Sequence, residues 1–162
     1  MKKVFNKTVY RIICFIIVAF IIFIWIFMIE KQAIKNQVCF EKKCFDVELA
    51  ETDEARQLGL MYRESLDEKN WMLFIFPQES IHAFWMKNTL IPLDIIRIKK
   101  SLQDSWIYNV VDIKTVDPCT TPECETYIPN WLSQYVLEIN AWLAEKYDIK
   151  VWDNLHLDIH TN

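Results

Sequence analysis

Two hydrophobic patterns divide the chain. Ile12 to Ile29 is an unbroken run of 18 apolar residues. As a helix it measures about 27 Å at about 1.5 Å per residue, close to a bilayer core. It has no polar stripe, which a helix packed on a globular core would carry. Beyond residue 37 the apolar residues fall into short runs. Phe45, Val47 and Leu49 alternate with Asp46 and Glu48, so Phe45 to Ala50 reads as a half-buried strand. Trp71–Phe76, Phe84–Met86, Leu93–Ile98, Trp106–Ile113, Tyr135–Ile139 and Leu155–Ile159 read as further strands, with Pro77 stopping the first. Thr52 is placed to cap a helix reaching about Leu58, with Asp53 and Glu54 in its first turn and Gly59 at a left-handed C-cap. Asn140 is placed to cap a second helix, Ala141–Tyr147. About seven short strands and two short helices predict a mainly β domain, a β-sandwich or partial barrel, behind one N-terminal transmembrane helix.

The flanking charges orient that helix. Lys2, Lys3, Lys7 and Arg11 precede the run, and Glu30 and Lys31 follow it. Positive residues favour the cytoplasmic side. This predicts a cytoplasmic tail at 1–11, an inner-membrane anchor at 12–29, a connector at 30–37 and an extracytoplasmic domain at 38–162. Secretion after signal-peptide cleavage is the alternative. A signal peptide's apolar region is usually about 7–15 residues and ends in a small-x-small site. Here the run ends in Trp25-Ile26-Phe27-Met28-Ile29, which favours the uncleaved anchor.

Separating the two parts changes the charge balance. Residues 1–35 hold 6 of the 18 basic and 1 of the 22 acidic side chains, leaving 12 against 21 and a net −9 for residues 36–162. Phosphate contacts need basic patches, so no nucleic-acid partner is expected. The five cysteines divide likewise. Cys14 lies in the apolar run as filler, while Cys39-x4-Cys44 and Cys119-x4-Cys124 are two pairs of equal spacing. Outside the cytoplasm they suggest two disulfides; three connectivities are possible and local closure is the simplest. Zinc is the alternative, at the loose end of ligand spacing. With one glycine in 162 residues, against about 11 at average usage, Gly-rich phosphate loops and the GxSxG nucleophile turn are excluded. No cofactor is indicated.

Three blocks resemble a known family. The first is Val47-Glu48-Leu49-Ala50, Thr52 and Arg56-Gln57-Leu58-Gly59-Leu60-Met61-Tyr62-Arg63-Glu64-Ser65-Leu66. The second is Met72 to Phe76, then Phe84-Trp85-Met86-Lys87-Asn88-Thr89-Leu90-Ile91-Pro92-Leu93-Asp94. The third is Pro118-Cys119, Cys124, Tyr127 and Tyr135-Val136-Leu137-Glu138-Ile139-Asn140-Ala141. Over about residues 45–159 the chain is similar to the prokaryotic domain of unknown function 192. These are small proteins, often secreted or membrane-anchored. The resemblance implies a single, mainly β domain of sandwich type and no particular reaction. Two departures stand out. Members typically read Asn-Ala-Gly where this chain has Asn140-Ala141-Trp142, and Lys-Val-Gly-Asp where it has Lys150-Val151-Trp152-Asp153. Glycine often marks positive φ, which does not suit Trp. Either the backbone there is ordinary or this member's C-terminal turn is rearranged.

Candidate chemistry concentrates in the same blocks. Arg56, Arg63, His82, Trp85, Lys87, Asn88, Asp94, Glu138 and Asn140 form a set suited to a small anionic or sugar ligand: Arg forks onto carboxylates and phosphates, and Trp offers a stacking face. The bland reading is turn chemistry for Asn88 and Thr89 and internal ion pairs for the rest. Asp94 and Glu138 are candidate acid and base for a small hydrolase or carbohydrate-active enzyme, if they line one cleft. His156, Asp158 and His160 share one face of a strand; such a face could ligate zinc, and a frayed polar strand end is the simpler account. Tyr127, Trp131, Tyr135 and Trp142 are core or the rim of a partner site. The leading expectation is a non-catalytic, membrane-anchored module that binds a ligand or an envelope protein.

Overall fold

A computed structural model describes residues 7–29, 35–41, 43–67 and 70–160. The chain divides into two units, Met1–Ile34 and Lys35–Asn162. The first holds α1, Lys7–Ile29, which starts earlier than the apolar run and takes in the end of the expected tail. None of Val9–Ile26 is buried, and the helix is long and apolar enough to cross a membrane or to serve as a signal sequence. The rest of the expected tail, residues 1–6, and most of the expected connector, 30–34, lie outside the described residues.

The second unit is a closed seven-stranded barrel. Its strands are β1 (Gln37–Phe40), β2 (Lys43–Ala50), β3 (Asn70–Ser80), β5 (Leu93–Lys100), β6 (Tyr108–Val116), β8 (Ser133–Asn140) and β9 (Asn154–Asp158). Around the wall they run β1-β2-β3-β8-β5-β6-β9, and β9 returns to β1. Only β2 and β3 pair in parallel, so the link between them is a crossover rather than a hairpin. That crossover carries α2 (Asp53–Leu58). Thr52 Oγ1 accepts the Ala55 N–H at 3.2 Å, as an N-cap should. Two further short strands, β4 (Phe84–Trp85) and β7 (Thr126–Tyr127), make a separate two-stranded sheet.

Closure decides between the two expected architectures, for the barrel and against the sandwich. The four residues of β1, of which Gln37 was expected in the connector and the other three in no particular element, pair with β2 on one side and β9 on the other. With them in place the barrel sheet has no open edge. Two local readings also change. β3 runs through Pro77, at a register shift between Ile75 and Ser80 where the missing N–H costs no ladder bond. The second helix is shorter, α3 (Leu143–Lys146), and Trp142 rather than Asn140 occupies its N-cap position. Asn140 ends β8, and its Nδ2 donates to the Leu66 carbonyl at 2.7 Å.

Two apolar layers follow from strand alternation. Trp71 and Leu73 of β3, Leu137 and Ile139 of β8, and Ile96 and Ile98 of β5 fill the barrel, where Phe45 stacks on Trp71 at 3.7 Å. The alternate residues Met72, Phe74, Val136, Leu93 and Ile95 face outward into a second cluster with Leu60, Met86 and Ile91. Burial on both faces explains why these strands read as continuous apolar runs.

The two Trp-for-Gly positions follow neither expectation. Trp142 has φ 65 and Trp152 has φ 77, so both adopt the left-handed backbone in which glycine is at ease.

Candidate functional site

The outward face of β2, β3, β8 and β5 is covered by a cap. The cap consists of the stretch after α2, the turn at Lys87–Thr89, and the β4–β7 sheet. Its origin is Gly59, with φ 49 and ψ −133, whose N–H donates to Ala55 O. This is not the left-handed C-cap expected from sequence, because ψ is far from the αL value. The chain leaves the helix sharply and passes directly over β3 and β8. A Cβ built on Gly59 would lie 3.2 Å from Phe74 Cζ and 4.0 Å from Glu138 Oε2.

Glu138 is the central acid beneath the cap. It is buried, and burial pushes its pKa up to about 8, with Arg63 and Arg97 opposing. Arg97 shares the face, since Arg97 pairs with Val136 and Ile95 with Glu138. Its side chain is fully buried. Nη1 donates to His82 O at 2.8 Å, and Nε lies 3.6 Å from Asp112 Oδ2. The guanidinium sits 5.3 Å from the ring centres of both Phe84 and Tyr127, which face each other across the small sheet. Among the described residues Nε and Nη2 have no hydrogen-bond partner. Burial lowers the Arg97 pKa, with Asp112 opposing. Tyr127 Oη donates to Asp112 Oδ2 at 2.8 Å; burial first, then that bond, pushes the phenol up to about 12. Sequence reading missed Arg97. The available signal was a single cation inside Leu93–Ile98, where both strand faces are apolar.

The other predicted residues are mostly engaged around this centre. Arg63 forks onto Glu48 at 2.8 and 2.6 Å, holding the Glu48 carboxyl below its usual range. Arg56 donates to the carbonyls of Glu51 and of Ile75, the latter at 2.7 Å, and to Asp53. His82 stacks on Phe76 at 3.6 Å, and burial lowers its pKa, with Arg97 and Arg56 adding to the effect. Asn88 has φ 56; its Nδ2 donates to Tyr62 Oη, and its carbonyl accepts the Tyr62 N–H, both at 2.8 Å. Tyr62 is itself left-handed, at φ 64. Trp85 is half exposed with Lys87 Nζ 5.0 Å from its ring centre. The Cys119 backbone bridges to Lys87 and Thr89, so the Cys119–Cys124 disulfide holds the cap turn from the other side.

Asp94 is not part of this cluster. It pairs with Ile139 while Glu138 pairs with Ile95, so the two carboxyls point to opposite faces of the sheet. Asp94 is buried and accepts from Thr115 Oγ1 at 2.6 Å and from the Ala144 N–H at 2.9 Å, capping α3. An acid/base pair needs one shared cleft, and this register denies it. The cysteines close locally, Cys39 with Cys44 and Cys119 with Cys124. No group of three or more His, Cys, Asp or Glu among the described residues is arranged to hold a metal. His156 Nδ1 lies 3.0 Å from Trp106 O, and His160 lies 3.3 Å from Asp158.

A closed mixed barrel with one capped face defines the class. The chain belongs to the DUF192 family, described as an uncharacterized ACR, whose model matches residues 35–157. Two solved structures are similar. A protein of unknown function from Novosphingobium aromaticivorans shares 31% identity, with 75% of this chain and 83% of that one covered at a TM-score of 0.62. A protein from Sinorhizobium meliloti, provisionally described as a transcription regulator, shares 26% identity, with 76% and 92% covered at a TM-score of 0.63. No curated protein matches the chain.

Proposed function

We propose that the chain is a membrane-anchored domain of the cell envelope, lying outside the cytoplasm, that binds a small anionic ligand at its cap without catalysing a reaction. Residues 12–29 are the membrane anchor, and 38–162 the outer domain. The unburied apolar face of α1 and the two disulfides support that location.

The observation that carries the binding reading is the strained, cationic cap. Tyr62 and Asn88 both hold left-handed backbones and bond to each other, and such strain concentrates at functional sites. Beside them Trp85 is half exposed, with the half-buried Lys87 against its ring. Beneath them the Arg97 guanidinium is fully buried, with Asp112 Oδ2 3.6 Å from its Nε. Arg63, Arg56, His82 and Asn140 position the cap rather than touch the ligand. Regulation of transcription, the description of the Sinorhizobium protein, does not carry over, because residues 36–162 are net −9.

Two measurements test the reading. A reporter active only outside the cytoplasm, fused after His160, should be active; activity of a cytoplasm-only reporter there overturns the topology. Titrating phosphate and citrate into the full chain in detergent should release heat, and Lys87→Ala should weaken the affinity at least tenfold. No heat with either anion, or an unchanged Lys87→Ala, overturns anion binding at the cap.

A further inference from the structure

Away from the cap, three clefts adjoin one another. The first, of about 330 Å³, is lined by Trp142 and Lys150; the second, of about 510 Å³, by Lys150, Trp152 and Asn154; the third, of about 350 Å³, by Trp152, Trp131 and Asn109. Lys150 lines the first two and Trp152 the last two, so the clefts follow one another as a segmented groove. Each has the size of a small-molecule site. Their indoles are exposed: Trp142 by 60%, Trp152 by 61% and Trp131 by 51%.

Trp142 and Trp152 stand out for a second reason. Each combines a left-handed backbone with a largely solvent-facing side chain. A strained conformation persists where something other than local comfort requires the residue. Core packing does not supply that reason for rings this exposed. Trp131 meets Trp152 edge to face, with centres 5.8 Å apart and planes at 82°, so the two rings present faces in different directions. Asn109 and Asn154, joined at 2.6 Å, place amides beside them, and Lys100 and Gln103 line the same cleft as Trp131.

We infer that this groove binds a glycan chain. A pyranose ring has an apolar C–H face and a rim of hydroxyls. Exposed indole faces, with the amides of Asn109 and Asn154 and the ammonium of Lys150 lining the same clefts, offer such a ring both stacking surfaces and polar partners. A lipid chain needs a continuous apolar wall, which Lys100, Gln103, Asn109 and Lys150 interrupt. A protein partner buries its aromatic anchors in one central dry patch, whereas Trp142 lines a different cleft from the touching Trp131 and Trp152. The inference goes beyond anion binding at the cap and shares none of its residues.

The probes are the neutral tetramer of N-acetylglucosamine and the acidic tetramer of galacturonic acid, titrated into the full chain in detergent. At least one should bind. The double variant Trp142→Gly/Trp152→Gly should lose at least tenfold in affinity while its melting temperature holds or rises, an outcome that a packing role for the indoles does not produce. Trp131→Ala, at an ordinary backbone position, should also weaken binding at least tenfold. Binding of neither tetramer by the wild type overturns the inference, as does unchanged affinity in both variants. Phosphate and citrate binding at the cap is read separately, so failure of one site leaves the other measurable.

Discussion

Gly59 offers the sharpest test of how the cap is built. Its φ of 49 and ψ of −133 fall where a side chain costs roughly 1–3 kcal/mol. In Gly59→Ala the new Cβ also meets Phe74 Cζ at 3.2 Å, tighter than ordinary contact. Phe74 has limited room to yield, because its ring packs edge-on against Phe84 at 5.1 Å. Alanine reduces the freedom of the unfolded chain, which offsets about 0.4–1 kcal/mol. The net expectation is destabilisation by about 1–2 kcal/mol, a fall in melting temperature of roughly 3–10 °C for a domain of this size. Near-ultraviolet circular dichroism on heating reads it directly. Gly59→Asn separates two geometries. Asparagine tolerates αL, but a ψ of −133 lies outside αL, so asparagine should be no better than alanine. Trp142 provides the contrast. With φ 65 and ψ 2 it is in αL, and Trp142→Asn should raise stability by about 1 kcal/mol. Wild-type stability in Gly59→Ala, or rescue by Gly59→Asn, would refute the argument.

Two more expectations follow from the buried acid and the staples. Because the native Glu138 carboxyl titrates at about 8 rather than at the usual 4.5, the folded state holds an extra proton between those values. Stability should therefore fall as pH rises from 4.5 to about 8, and Glu138→Gln should flatten that slope in guanidinium titrations across pH. A variant as pH-sensitive as the wild type would contradict it. Each disulfide closes a short loop, its cysteines five positions apart, worth roughly 2 kcal/mol by chain entropy. Dithiothreitol should lower the midpoint accordingly, and labelling of the unreduced, unfolded domain should find none of these four thiols.

What was legible in the sequence was local. The alternation of Phe45–Ala50 and the cap of Thr52 on α2 depend on residues a few positions apart, and both are in place. Barrel closure was not legible, because it rests on a four-residue strand whose partners lie at opposite ends of the domain. The candidate site was readable as a set of residue types but not as an arrangement. Asp94 and Glu138 look equivalent in one dimension; the register that pairs Ile95 with Glu138 sends them to opposite faces. Most of the expected ligand residues spend their donors on the fold itself, as Arg56 does on Ile75 O and Asn140 on Leu66 O. Arg97 was hidden by its apolar neighbours. Trp142 and Trp152 show the reverse difficulty: their side chains argue for ordinary backbone, yet the turn conformation is retained.

The pairing of β1 with β9 sets an order of assembly. His156 of β9 lies opposite Cys39 of β1, so the wall stays open until nearly the whole domain has emerged from synthesis or translocation. Contacts so distant in sequence form late. Until then β1 presents an unsatisfied backbone edge, the type of surface on which chains stick to one another. The Cys39–Cys44 bridge joins directly opposed residues of β1 and β2. It keeps the first hairpin in register while the last strand is awaited. Besides stabilising the finished domain, the bridge thus keeps this edge in order while the domain is made, and its loss should also show as aggregation of newly made chains.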